Sequence, residues 1–444
     1  MIKGGVVIFL VALLVRSSYA FFFVDLEYLL VEDQALYFQL AQQFSVTGFL
    51  DITPERVPGY PLFLSTIYTI FSNGIWDVIL IQIILDSISC VVIAFTTYSI
   101  FDKGFWVSGV LSAFNLNMVI LSASLLTDTL FLFLFNLFLF SLIKYLQNNS
   151  IRYFFFLVLF ISLATLVRAS SYYLIFILLI WLVGWMVHQR KSFLKIGSLV
   201  GMYIAIVMIL LGGVLQHNYH QYGSMALASD AGKHLIGWVV PATYQYSGQG
   251  SYQQGQLLAK ERLKLALQRD NLTKLPPNPF ENSAYKADVG KDILLDFGFL
   301  NILKAWIVGS TINLLAPSVA YAPVVRLMDH PSFYETKGSG VLNKLSNYIK
   351  NSSGFFYLLI LVIGTTISII FTFLALVGVV KMLSSLSLSL SLEMVSTLLL
   401  LVGYFLAITG PVIGVKYRLP IEPVMIIFIA YAISTMEWKK NKEL

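Results

Sequence analysis

Ten apolar runs divide the chain, at 4–24, 76–101, 105–125, 130–145, 153–167, 172–187, 196–215, 355–380, 392–409 and 419–436. Each approaches the roughly 20 residues that a helix needs to cross a bilayer. The chain therefore reads as an all-α polytopic membrane protein. Composition agrees, since only 12% of the 444 residues are charged and 58% are hydrophobic, whereas a soluble globular chain carries about 25% charged residues. Several runs are short, which implies tilt, local thinning or shielding inside the bundle. The net charge of +6 reads as basic loops on one side of a membrane and excludes nucleic acid as the partner it serves. The one cysteine, Cys90, forms no intramolecular disulfide and no metal motif; it reads as a small apolar packing residue.

The N-terminus resembles a signal peptide in having Lys3, an apolar run and Ser18-Tyr19-Ala20. The apolar run continues through Phe21-Phe22-Phe23-Val24 and Arg16 stands at the wrong end of it, so the expectation is an uncleaved first helix. Lys/Arg in short loops set orientation. Lys3, Lys103, Lys144, Arg152, Arg190, Lys191, Lys195, Lys381 and Lys439-Lys440-Lys442 all fall on one side of an N-in, C-in path through these spans. That side is cytoplasmic, and the expected location is a cell membrane of the bacterial inner-membrane type. The outer side then receives 25–74, Thr127-Asp128, Arg168, about 217–354 and 410–418.

Three regions follow. Residues 1–216 form a transmembrane module with a long first outer loop at 25–75. Residues 217–354 form an outer-face region. Here 255–271 reads as a basic amphipathic helix, Leu275-Pro276-Pro277-Asn278-Pro279 breaks it, and 283–297 reads as a second helix. The apolar stretch at 298–323 contains Lys304, Asn313 and Pro317, and an interfacial, re-entrant or doubly crossing path is expected for it. Residues 355–444 supply the last spans. The Ser-Leu alternation at 385–392 reads as a linker.

The chemistry lies on the outer side. In the first loop Asp33, Tyr37, Leu40 and Phe44 fall on one helical face. Asp33 stands at the helix start, where a carboxylate meets free N–H groups and the positive end of the dipole; the same placement offers a general base to a bound hydroxyl. Gly48 ends the helix, and Arg56-Val57-Pro58-Gly59-Tyr60-Pro61 turns the chain back. Asp128, with almost no loop around it, is either the N-cap of the next helix or a functional acid, since an ionisable group so near hydrocarbon is expensive. Arg168 and Lys416-Tyr417-Arg418 place cations at the outer interface. They require an anionic partner: Glu422, a lipid head group or a lipid-linked phosphate.

Glu32-Asp33-x-x-x-Tyr37-x-x-x-Ala41, Gly48 and Arg56-x-Pro58-Gly59-Tyr60-Pro61 together resemble the first outer loop of GT-C glycosyltransferases. The likeness is greatest to the family 39 group of protein O-mannosyltransferases and lipid A aminoarabinose transferases. Thr127-Asp128, Asn218-Tyr219 with Gly223, and Lys416-Tyr417-Arg418-Leu419-Pro420 echo later motifs of that group in order, with Lys416 where Arg is usual. The resemblance implies a GT-C-type bundle of about 10–12 transmembrane helices with amphipathic helices on the outer face. It implies transfer of a sugar from a polyprenyl-phosphate donor to a hydroxyl acceptor on a lipid, glycan or protein, with inversion. Asp33 would be the base and Asp128 a second acid. Arg418, Lys416 and Arg168 would hold the donor phosphate. Glu32, Tyr37, Arg56, Tyr60 and Tyr417 would line the substrate site. A divalent metal is left open, because two acids are too few to specify a site. Two other classes also fit a many-span chain with a large outer loop. One is an O-antigen polymerase or ligase-like enzyme. The other is a transporter or flippase of lipid-linked sugars, although no internal repeat is visible.

Overall fold

In the computed structural model, the described residues are 1–25, 29–47, 53–71, 74–333, 335–352, 354–384 and 389–440. Gly48, the first part of the Ser-Leu alternation and Lys442 lie outside them. Every expected span is helical. Among the described residues, 8 helices are long and apolar enough to cross a membrane, or up to 10 if each of two bent pairs is one span. The run at 153–167 is the 17-residue helix Ile151–Val167. The central packing is between Thr127–Asn148, Ile151–Val167 and Ile75–Phe101, with Glu422–Lys440 closing against Phe355–Ser384.

The expected span at 105–125 is not one helix. It is Phe105–Ala113 followed by Leu116–Ser122, bent by 50°. Asn115 causes the restart, its side chain accepting from Met118 N at 3.0 Å. A break inside an apolar bundle frees carbonyls that no water reaches, and each must find a donor. Buried side chains from neighbouring spans supply them. Arg16 donates to Ala113 O at 3.0 Å and Ser112 O at 3.2 Å. Its Nε lies 2.6 Å from Asp86 Oδ2, and its Nη2 reaches Cys90 Sγ at 3.1 Å. Cys90 therefore does more than pack. Gln82 Nε2 donates to Ser122 O at 3.2 Å and Ser124 O at 2.8 Å. The break ends where Thr127–Asn148 begins, so these contacts set where Asp128 stands.

The ambiguous stretch at 298–323 is the second arm of a bent helix pair and the turn that follows it. Pro279–Phe297 and Phe299–Leu315 meet at 103°, at Gly298 with φ 79°. The second helix runs inward until Leu314 O and Ala316 O reach Arg418. The chain turns at Pro317 and returns through Ser318–Tyr321 and Pro323–Arg326 to the first loop. The two amphipathic helices before it are Tyr252–Arg269, opened by a Ser251/Gln254 capping box, and Pro279–Phe297. The second starts earlier than 283 because Asn278 caps it and Pro279 sits at its first position. With Val240–Ser247 they enclose a separate small core around Ile236, Val240, Ala259, Val289 and Ile293.

The first loop is seated by Gly59. A Cβ there would lie 2.6 Å from Leu166 O, at the end of Ile151–Val167. Gly59→Ala is expected to cost about 1–3 kcal/mol, read as a lowered unfolding temperature in detergent; an unchanged midpoint would mean that this backbone contact is slack.

Candidate active site

The helix Asp33–Thr47 is anchored on the broken span. Gln34 Oε1 accepts from Leu125 N at 2.9 Å, which joins the residue after Asp33 to the stretch just before Asp128. Tyr37 and Leu40 are buried beneath the helix, as its periodicity predicts. The Tyr37 ring meets Tyr60 edge-on at 5.0 Å. Tyr60 is fully buried, its hydroxyl donating to Gln82 Oε1 at 2.8 Å. It supports Tyr37 from behind and does not line an open site. Burial pushes the Tyr37 phenol up to about 12, with Arg56 opposing that rise.

Asp33 stays accessible, its side chain 42% exposed. Arg56 Nη2 donates to Asp33 Oδ1 at 2.9 Å, and Lys416 Nζ lies 4.0 Å from Oδ2. The other Arg56 nitrogen, Nη1, donates to Asp230 Oδ2 at 3.2 Å. Asp128 is different: it is buried and accepts from Arg168 Nη1 at 2.6 Å. It is not the N-cap, which is Leu126, but stands in the first turn of the helix. The Arg168 guanidinium also lies about one ring's reach from Phe131 and Tyr417, at 5.9 and 6.0 Å from their centroids. Both acid–cation pairs lie within electrostatic reach of Tyr37, so the structure gathers Asp33, Arg56, Lys416, Tyr37, Asp128, Arg168 and Tyr417 around one mouth of the bundle.

Besides Tyr60, two expected residues stand apart. Glu32, at φ 51°, points outward with Arg326 3.5 Å away. Arg418 is buried, and its donors are already placed. Nε lies 2.6 Å from Glu422 Oε1, Nη1 meets Leu314 O and Ala316 O, and Nη2 meets Ser318 Oγ at 2.7 Å. Glu422 is the carboxylate it meets, and Asn115 and Asn117 complete that carboxylate at 2.9 and 3.2 Å. Arg418 thus staples the turn at 314–318. Among the described residues no group of three His, Cys, Asp or Glu side chains is set to hold a metal ion, and Asp33 and Asp128 are each paired with an arginine.

The sequence reading missed Asp230, Gln34 and His234. Asn218, on Phe193–Tyr222, accounts for Asp230's place. Gly223 ends that helix at φ 70°, and Asn218 Nδ2 donates to Ala226 O at 2.8 Å, folding the chain back over the first loop. His234 follows one turn later, and burial lowers its imidazole from the usual range while Asp230 opposes this.

The all-helical membrane bundle, with its long first loop and its helical cap over the mouth, has the GT-C fold. The archaeal oligosaccharyltransferase AglB from Archaeoglobus fulgidus, solved with an inhibitory peptide and a dolichol-phosphate, shares it with a TM-score of 0.51 at 13% identity, over 99% of this chain. This chain spans 50% of the length of that one. ArnT from Cupriavidus metallidurans in the apo state aligns with a TM-score of 0.39 at 12% identity, over 97% of this chain and 76% of that one. Within that fold, residues 54–211 match the profile of the dolichyl-phosphate-mannose-protein mannosyltransferase family. A comparison with curated proteins gave no match.

Proposed function

We infer that the protein is a membrane glycosyltransferase that moves a sugar from a polyprenyl-phosphate donor to a hydroxyl acceptor. The observation that carries this is the half-exposed Asp33 carboxylate, held on one oxygen by Arg56 with Lys416 beside the other. The family match over 54–211 supports the donor class. Asp33 takes the proton of the acceptor hydroxyl. The acceptor oxygen bonds to the anomeric carbon from the face opposite the phosphate, the carbon–oxygen bond to phosphate breaks, and the lipid phosphate leaves with the electron pair. Configuration inverts. Lys416 and Arg168 face the growing negative charge, and cations fixed in advance of the reaction lower its barrier most where water is scarce. Asp128 holds Arg168 in place, and Tyr417 lies against both cations. We assign the phosphate role to Lys416 and Arg168 ahead of Arg418, whose donors already meet Glu422, Leu314 O, Ala316 O and Ser318.

The distribution of basic residues supports an extracytoplasmic position for this mouth. Lys103 packs over Tyr431, Lys381 reaches Ala432 O, and Lys191 reaches the Tyr145 hydroxyl, all near helix ends remote from Asp33. By the positive-inside rule that end is cytoplasmic.

The test is thermal unfolding of the purified protein against a panel of polyprenyl-phosphate sugars. One donor at about 100 times its Kd is expected to stabilise the fold by roughly 2.7 kcal/mol, and Lys416→Ala to need markedly more of the same lipid. A folded protein indifferent to the whole panel would sink the donor assignment and return the weight to a lipid-sugar transporter or polymerase.

A further inference from the structure

Two carboxylates from distant parts of the chain share one guanidinium. Asp33 and Asp230 meet Arg56 at 2.9 and 3.2 Å through different nitrogens. The placement of Asp230 does not depend on that ion pair. Ser229 N and Oγ both donate to Pro54 O, at 2.7 and 3.0 Å. Lys233 Nζ lies 3.6 Å from Glu55 Oε2. Asn218 holds the preceding turn. The segment carrying Asp230 is thus fastened to the stretch carrying Arg56 at several independent points.

We propose that Asp230 is a positioning residue for the transfer reaction, acting on Asp33 through Arg56; this rests on Asp33 being the base. The planar guanidinium can give two parallel donors to one carboxylate. Asp230 takes one edge of it, so Arg56 places a single hydrogen bond on Asp33 Oδ1. The Oδ2 oxygen is left for the acceptor proton, on the side where Lys416 stands at 4.0 Å. Charge balance points the same way. When Asp33 takes the proton it becomes neutral, and Arg56 would be left without a counter-charge in a partly buried place. Asp230 keeps it paired throughout. The other groups facing this trio are Tyr37 and Lys416 around Asp33, and His234 beside Asp230. The Lys233–Glu55 pair flanks it, and the Asp128–Arg168 pair lies across Tyr37.

Two readouts on the full-length protein test this. The first needs no substrate: thermal unfolding of wild type, Asp33→Asn, Asp230→Asn and the double variant. Each single variant leaves Arg56 one carboxylate, and the double leaves it none, so the double is expected to lose more than the sum of the singles. Additive losses would overturn the shared role. The second is a pH–rate profile of transfer, using the polyprenyl-phosphate sugar that stabilises the wild type. Asp230→Asn frees Arg56 to close on Asp33 alone. The expected result is kcat lower by about tenfold, donor KM within about twofold, and the acid limb of the profile moved to lower pH. Asp230→Glu is expected to restore the limb. Wild-type kcat and an unmoved limb in Asp230→Asn, with Asp33→Asn inactive, would reject the positioning role and leave the base intact. An active Asp33→Asn would instead reject the base, and this proposal with it.

Discussion

Asp33→Asn is expected to abolish transfer, with kcat falling by about 10³-fold, in the range that loss of a general base produces. The fold should survive. Asp33 is 42% exposed on its side chain, and its partner Arg56 keeps Asp230 as a second anion. Donor binding should survive too, because the cations assigned to the phosphate, Lys416 and Arg168, are untouched. The measurement is therefore paired: product formation with a labelled polyprenyl-phosphate sugar, and stabilisation by that same donor. Lost product with retained stabilisation supports Asp33 on the acceptor side. Wild-type turnover in a folded Asp33→Asn would remove the base from the mechanism.

The second large effect concerns Glu422. It is fully buried and accepts from Arg418, Asn115 and Asn117. Glu422→Ala leaves the Arg418 guanidinium in the interior without its counter-charge, which typically costs about 3–5 kcal/mol. A large drop in unfolding temperature is expected with no donor present, and Arg418→Gln should behave alike. This separates two roles that sequence alone leaves mixed. If Arg418 bound the donor phosphate, Arg418→Gln would keep its stability and lose only donor affinity.

The spans were legible because apolar runs of bilayer length admit few other structures, and each expected run is helical, with the run at 105–125 broken into two helices. Their defects were less so. The break at Phe114–Asn115 lies inside a stretch that reads as one continuous span; what keeps it open is Arg16, Gln82 and Asn115 finding free backbone groups, and that depends on packing. Asp33, Asp128, Arg56, Arg168 and Lys416 were each visible as charge in an apolar setting, and the structure brings them together. Which cation meets which acid was not visible. Arg418 shows why: a motif places a residue at a position, but its donors go to whatever carbonyls and carboxylates the tertiary fold delivers. Asp230 carried no local signal at all. Its link to Arg56 spans 174 positions, and only the reversal after Gly223 closes that distance.

Asp128 takes its position from below. The donors that close the broken span come from Arg16 and Gln82 on neighbouring helices, and the clasp on the turn at 314–318 comes from Arg418 and Glu422. None of these belongs to the cap at 217–297. The mouth is therefore registered to the bundle's interior frame, and the cap is fastened to the first loop by Ser229 on Pro54 O, Lys233 on Glu55 and Asp230 on Arg56. The acid thus answers to two frames at once, the bundle through its neighbour Gln34 and the cap through the arginine it shares with Asp230.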